Sequence, residues 1–243
     1  MFKWTKVDFI VLPITLVAII LIAFFLRVLL KNKSENIRKI PLILITCFML
    51  VMELIKQVLS FKKGYDYWTI PLHFCSLFIY FCPLAVFAKG KLNDFGKTMS
   101  LVCSALMFCC FYLSPDSIIG SKTTENIFAN YATFHTFTYH HLVILFLFTS
   151  LFLNFYKFKK ENYIHVFIGF TVYAIIMVPL AHILDTNFCD ILHTSVPLLE
   201  SFRLFAGQII YTILFYVFAI LAGTGIVFIQ SKTEERSGGK NQL

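Results

Sequence analysis

The sequence predicts an all-α fold: a polytopic membrane helical bundle of seven transmembrane helices, with the N-terminus outside and the C-terminus cytoplasmic. Three observations predict it. Hydrophobic residues make up 58% of the 243 and charged residues only 14%, with a mean hydropathy of +0.79, whereas soluble domains are roughly 45–50% apolar. Several predominantly apolar runs reach the length of roughly 20 residues that crosses a bilayer as helix. The basic residues gather in short connections between those runs, as membrane orientation requires. The net charge of +8 therefore reflects topology, and no nucleic-acid partner is expected. Membrane lipids are the expected partners.

The first span covers about 9–30 and is retained rather than cleaved, because it is too long for a signal peptide and lacks a small-residue cleavage site. The second covers about 41–59, with Pro41 at the first turn, where a missing N–H is harmless. It contains Glu53, Lys56 and Gln57. The third covers about 69–88 and the short fourth about 98–113. A long connection follows, with the aromatic and polar string Asn130-Tyr131-Ala132-Thr133-Phe134-His135. The fifth span, about 139–156, opens on His140-His141. The sixth, about 163–184, contains Pro179 and ends near His182. A second long connection carries Asp185, Asn187, Cys189, Asp190 and His193 before the seventh span, about 207–230. Residues 1–230 form a single bundle, and 231–243 form a polar tail expected to be disordered and cytoplasmic.

Orientation follows from the basic residues. With seven spans, 13 of them lie in the cytoplasmic segments, among them Lys31, Lys33, Lys89, Lys157 and Lys159, and 6 lie outside. Removing the fourth span abolishes the bias. Trp4 and Trp68 then sit at the outer interface, where aromatic belts form. Six of the seven cysteines lie inside apolar segments with no paired framework, so they read as small hydrophobes rather than disulfides.

An ionisable residue inside a span is costly and points to function. The stretch Pro71-Leu72-His73-Phe74-Cys75 places a histidine and a thiol at the start of the third span. The topology brings His73, His140, His141 and His182 to one membrane level, with Glu53 in the same outer half and Asp185 and Asn187 just beyond helix ends. On a regular helix His73 and Cys75 point about 200° apart, while His73 shares a face with Ser76 and Tyr80. Glu53 or Tyr80 could then orient the His73 ring. No metal and no cofactor are expected: there is no HExxH, and adjacent His140 and His141 diverge by about 100°.

Pro71-Leu72-His73-Phe74-Cys75-Ser76, then His140-His141, then Asp185-Thr186-Asn187-Phe188, resemble the bacterial YwaF integral membrane family, which is related to eukaryotic transmembrane protein 164. The resemblance covers residues 40–230. It implies a seven-span bundle, and through the eukaryotic relative a lipid acyltransferase acting on ether phospholipids through Cys and His. The positions it carries over are His73, His140, His141 and Asn187: His73 or His141 as general base on a lipid hydroxyl, and Asn187 as donor to a developing oxyanion. Leu72 stands where that relative has its cysteine. Cys75 is the nearby thiol.

Three functions fit these residues. One is a phospholipid acyltransferase or lipid hydrolase centred on His73 in the outer half of the bilayer, with Glu53, Tyr80, His182 and Asp185 contacting substrate. Another is a proton- or solute-coupled carrier using the same cluster. The third is a non-catalytic accessory membrane protein. The enzyme calls for a lipid-sized cavity ending at His73, and a ring packed against phenylalanines would count against it.

Overall fold

The computed structural model describes residues 4–120, 122–194 and 196–239, the last five of these by backbone alone. All regular structure among the described residues is helical. Five helical stretches are long and apolar enough to cross a membrane: Asp8–Leu30, Glu35–Lys62, Gly90–Leu113, Lys160–Ile183 and Gln208–Glu234. The chain is thus built as a multi-pass membrane protein.

Packing contacts divide the described residues into two units. The larger comprises residues 4–65 together with Phe78–Tyr156, and the smaller comprises Asp66–Leu77 with the described residues from Lys157 to Gly239.

In the larger unit, α1 (Asp8–Leu30) starts on a reciprocal cap. Asp8 Oδ2 accepts from the Thr5 amide at 2.7 Å, and Thr5 Oγ1 accepts from the Asp8 amide at 3.2 Å. The Thr124 hydroxyl donates to the other oxygen of the buried carboxylate at 2.5 Å, tying a distant turn to the head of α1. A short α2 (Glu35–Arg38) leads into α3 (Ile40–Lys62). Helices α4 (Phe78–Phe87) and α5 (Gly90–Leu113) form a tight hairpin. Asn93 closes it by donating to the carbonyls of Ala85 at 2.7 Å and Leu84 at 3.3 Å at the C-terminal end of α4, where carbonyls run out of helical partners, the Leu84 carbonyl also accepting the Ala88 amide at 3.3 Å. A single turn, α6 (Pro115–Ile119), precedes α7 (Tyr131–Phe152), whose first turn is capped by Asn130 accepting from the Thr133 amide at 3.0 Å. Leu12, Ile19, Phe111, Ile119 and Ile144 form an apolar core between α1, α5, α6 and α7. Lys97 sits over the rings of Phe155 and Tyr156, at 4.8 and 5.8 Å, so the start of α5 and the segment after α7 lie side by side, as antiparallel neighbours do.

In the smaller unit, α8 (Tyr163–Ile183), α9 (Pro197–Ala206) and α10 (Gln208–Gly239) pack with the stretch before α4. Met177, Ala181, Phe188 and Ile191 form its core, lined by Ile70, Leu72, Tyr173 and Phe215.

Four sequence expectations are corrected. The third apolar segment is not a helix from residue 69. Two 3-10 turns, Tyr67–Thr69 and Phe74–Leu77, replace its first half, because Pro71 forces Ile70 out of the helical region and Asp66 caps the first turn through the Trp68 amide at 2.9 Å. The fourth segment begins at Gly90, making 24 residues. The fifth begins at Tyr131, because the Asn130 cap outweighs the polarity of the string that follows. The tail is helical through Gly239: Ser231 is buried, and Glu234 accepts the Phe158 amide at 3.1 Å. Residues 240–243 of that tail, and Lys3, lie outside the described residues.

Candidate functional site

Because the third segment opens as turns, His73 is not on a helix face with Tyr80. Its ring packs on Trp68, with centroids 4.2 Å apart, and edge-on against Phe188 at 5.2 Å. Its Nε2 lies 3.0 Å from the Trp68 carbonyl. A carbonyl only accepts, so Nε2 carries the hydrogen in this contact. The aromatic packing is the feature that counts against an open catalytic site. The anchored ring is the feature that counts for one.

The same small unit holds Cys189, which sequence reading passed over as part of a long connection. Its backbone is left-handed at φ 53°, ψ 34°, and Asp185 and Asp190 are left-handed beside it at φ 46° and 57°. Non-glycine residues hold this conformation at a cost, and such positions concentrate at functional sites. The Cys189 thiol lies 2.8 Å from the Tyr173 hydroxyl and 3.8 Å from the Leu72 carbonyl, and Tyr173 Oη is 2.5 Å from that carbonyl. Leu72 and Phe74, the neighbours of His73, thus flank the thiol, and Cys75 is within electrostatic range. Burial pushes the thiol up to about 12, offset in part by the Tyr173 hydroxyl. Cys189 is therefore a protonated thiol at neutral pH.

That protonation has a measurable consequence. A rise from an ordinary value of 9 to about 12 lowers the thiolate population about 10³-fold. Alkylation of Cys189 in the native protein is expected to be about a thousandfold slower than in the denatured chain, as read by mass spectrometry of the tryptic peptide. Equal rates would contradict the buried hydrogen-bonded thiol.

Asn187 is placed differently from the oxyanion donor expected. Its Nδ2 donates to the His193 carbonyl at 2.8 Å and to Asp190 Oδ1 at 3.5 Å, while Oδ1 accepts the amides of Leu192 and His193. The side chain clamps the loop that carries Cys189. Burial raises the Asp190 carboxyl, with the Thr194 hydroxyl partly offsetting it. His182 and Asp185 are both exposed, His182 in the last turn of α8 and Asp185 just beyond it.

The remaining predicted residues lie in the larger unit. His140 and His141 sit in the middle of α7, as its tenth and eleventh residues, rather than at its opening. His141 has both ring nitrogens engaged, Nδ1 with the Phe137 carbonyl at 2.7 Å and Nε2 with Thr15 Oγ1 at 2.9 Å. It locks α7 to α1. His140 donates from Nδ1 to the Thr136 carbonyl at 2.6 Å, and its Nε2 is buried without a hydrogen-bond partner.

Glu53 is buried and paired: Lys56 Nζ lies 2.8 Å from Oε1, Gln57 donates to the same oxygen at 2.7 Å, and His135 Nε2 lies 3.5 Å from Oε2. Tyr65 donates to Gln57 Oε1 at 2.9 Å, and Tyr80 on α4 is within electrostatic range of the carboxylate. His135 was missed by the sequence reading. Its signal was present: Tyr131, His135 and Tyr139 recur every fourth residue and so line one face of α7.

The predicted residues therefore form two sets. His73, Cys75 and Asn187 gather in the smaller unit, with Cys189 and Tyr173. Glu53, Tyr80, His140 and His141 belong to the larger, with His135. Among the described residues no three His, Cys, Asp or Glu side chains are grouped to hold a metal ion. No curated protein and no solved structure matches the chain significantly. The model of the TMEM164 family matches residues 1–228, nearly the whole length. With its run of apolar helices and the ordered Pro71–Ser76, His140-His141 and Asp185–Phe188 motifs, the chain belongs to the TMEM164 family.

Proposed function

We propose that the chain is a membrane enzyme acting on the acyl groups of phospholipids, with His73 as general base. The observation that carries this is the anchored His73 ring: Nε2 lies 3.0 Å from the Trp68 carbonyl, which orients the imidazole through one nitrogen. An imidazole oriented through one nitrogen and basic at the other is the arrangement that proton abstraction needs.

In this reading the attacking group is a hydroxyl, and Cys189 serves to hold the loop through its contacts with Tyr173 and Leu72. In the acyl-transfer step the acceptor lipid's hydroxyl gives its proton to His73 Nδ1, and its oxygen forms a new ester bond with the donor acyl carbon. The donor's ester bond breaks, and its leaving oxygen takes the proton from His73. Water in place of the lipid hydroxyl yields hydrolysis. Tyr173, Cys189 and Asn187 hold the Leu72–Phe74 turn and the facing loop in place, and Cys75 lies on the same turn. Cells lacking the chain and complemented with His73→Ala are expected to show a changed phospholipid acyl profile relative to cells carrying the native chain. An unchanged lipidome in both the deletion and the variant would count against the proposal.

The enzyme would cross the membrane seven times, with its N-terminus outside. The five long apolar stretches support this count in part, and the proposal adds the 22-residue α7 and the shorter apolar Phe74–Phe87 segment as the other two crossings. The distribution of lysine and arginine supports the orientation. A cysteine reporter within residues 34–36 would react only from the cytoplasmic side, and labelling from outside intact cells would invert the topology.

A second reading draws on the larger unit, where Glu53, Lys56 and His135 form a buried ionisable cluster between α3 and α7. Such clusters also serve proton and solute carriers. A carrier predicts proton-coupled flux in proteoliposomes that Glu53→Gln abolishes. Flux unaffected by that change would retire this reading.

A further inference from the structure

We infer that α9 is an in-plane membrane helix: its apolar face lies in the hydrocarbon edge of a bilayer, and its polar face grips the loop that carries Cys189. This goes beyond the proposed lipid chemistry and does not depend on it.

Three observations carry it. The first is the sequence of α9, Pro-Leu-Leu-Glu-Ser-Phe-Arg-Leu-Phe-Ala. At about 100° per residue, Leu198, Leu199, Phe202, Phe205 and Ala206 share an arc of about 120°, with Glu200 and Arg203 on one side of it and the exposed Ser201 and Leu204 on the other.

The second is which way those faces point. No residue of α9 is buried, and Leu198 and Phe205 are 78% and 91% exposed. Glu200 instead turns toward the protein and accepts the Thr194 amide at 3.0 Å, while Arg203 donates to Gln208 Oε1 at 3.2 Å. Gln208 in turn donates to the Ile191 carbonyl at 2.5 Å. A surface helix in water buries its apolar stripe and wets its polar one. Here the order is reversed, so the medium outside is apolar.

The third is continuity and length. Gly207, at φ 87°, ends α9, and α10 begins at once with outward-facing Ile209, Ile210 and Ile213. The apolar face of α9 therefore joins the lipid-facing surface of a membrane helix. Ten residues span about 15 Å of helix, half of the roughly 30 Å hydrocarbon core. The segment cannot cross, so it lies in the interface.

Charge selects the kind of surface. Arg203 Nε and Nη2 both bond the Glu200 carboxylate, at 2.9 and 2.5 Å, so α9 presents no unpaired cation. Its occupant is a zwitterionic phospholipid interface, held by apolar area rather than by attraction to anionic headgroups.

The test places p-benzoylphenylalanine singly at Leu198, Phe205 or the protein-facing Glu200 of the full chain in phosphatidylcholine nanodiscs, followed by photolysis and mass spectrometry. Positions 198 and 205 are expected to give phospholipid adducts at yields several-fold above position 200. Replacing part of the phosphatidylcholine with phosphatidylserine is expected to change those yields by less than about twofold. Covalent dimers at 198 and 205 would assign the face to a second copy of the chain and overturn the inference. Equal lipid yields at all three positions would also overturn it, and a several-fold rise with phosphatidylserine would overturn the neutral surface. None of these outcomes depends on catalytic activity.

Discussion

His73→Gln is expected to lower acyl transfer by about 10²–10⁴-fold, the usual contribution of a positioned general base. The glutamine amide can still donate to the Trp68 carbonyl, which His73 Nε2 reaches at 3.0 Å, so the turn keeps its hydrogen bond. What is removed is the proposed imidazole base and its ring contact with Trp68 and Phe188. The loss should fall on kcat, because a base acts in the transition state and not in ground-state binding. The measurement is a comparison of purified proteins in mixed micelles of donor phospholipid and labelled lysophospholipid, with thermal stability checked alongside. A loss of activity accompanied by a collapse of thermal stability would assign His73 to packing instead.

Gly96→Ala should be the most destabilising single-methyl change in the larger unit. A Cβ built at Gly96 would lie 2.5 Å from the Ala85 amide nitrogen and 2.6 Å from the Leu84 carbonyl carbon. These are backbone atoms of the facing helix, held by Asn93, and cannot swing aside. Alanine in a helix gains about 1 kcal/mol over glycine, but forced overpacking costs about 1–3 kcal/mol and more where the backbone must move. The clash therefore wins, and thermal denaturation in detergent should show a clear loss of stability. Gly225→Ala is the control. Nothing lies within 4 Å of its Cβ, so it should be neutral or stabilising. A Gly96→Ala protein as stable as the native chain would contradict the close α4–α5 approach.

The long apolar helices were legible in the sequence because periodicity is irrelevant when lipid surrounds them: composition and length suffice. Hence α1, α3 and α8 lie within a few residues of their expected limits. Where a helix began among polar residues, hydropathy misled. Asn130 starts α7 eight residues earlier than expected, because a side-chain cap depends on one oxygen and one amide rather than on average polarity. That shift carried His140 and His141 from a helix mouth into its middle.

The site was legible only in part. His73 and Asn187 were visible as polar residues flanking apolar spans, and they do share a unit. Their partners were not. Cys189 meets Leu72 and Tyr173 across sequence separations of 117 and 16 residues, through a left-handed backbone that no hydropathy pattern encodes. His135 was hidden by the assumption that its string formed a loop. On a helix its four-residue spacing from Tyr131 and Tyr139 points it at Glu53.

The most direct test of the central claim uses the native protein alone. Purified chain in phosphatidylcholine nanodiscs is mixed with an isotopically labelled lysophospholipid, and the products are followed by mass spectrometry. Labelled diacyl phospholipid that accumulates with time and protein concentration, with matching release of unlabelled lysophospholipid from the donor, is the predicted result. Labelled lysophospholipid that remains unacylated, with no free fatty acid released at any protein concentration, would contradict a lipid-acyl enzyme centred on His73.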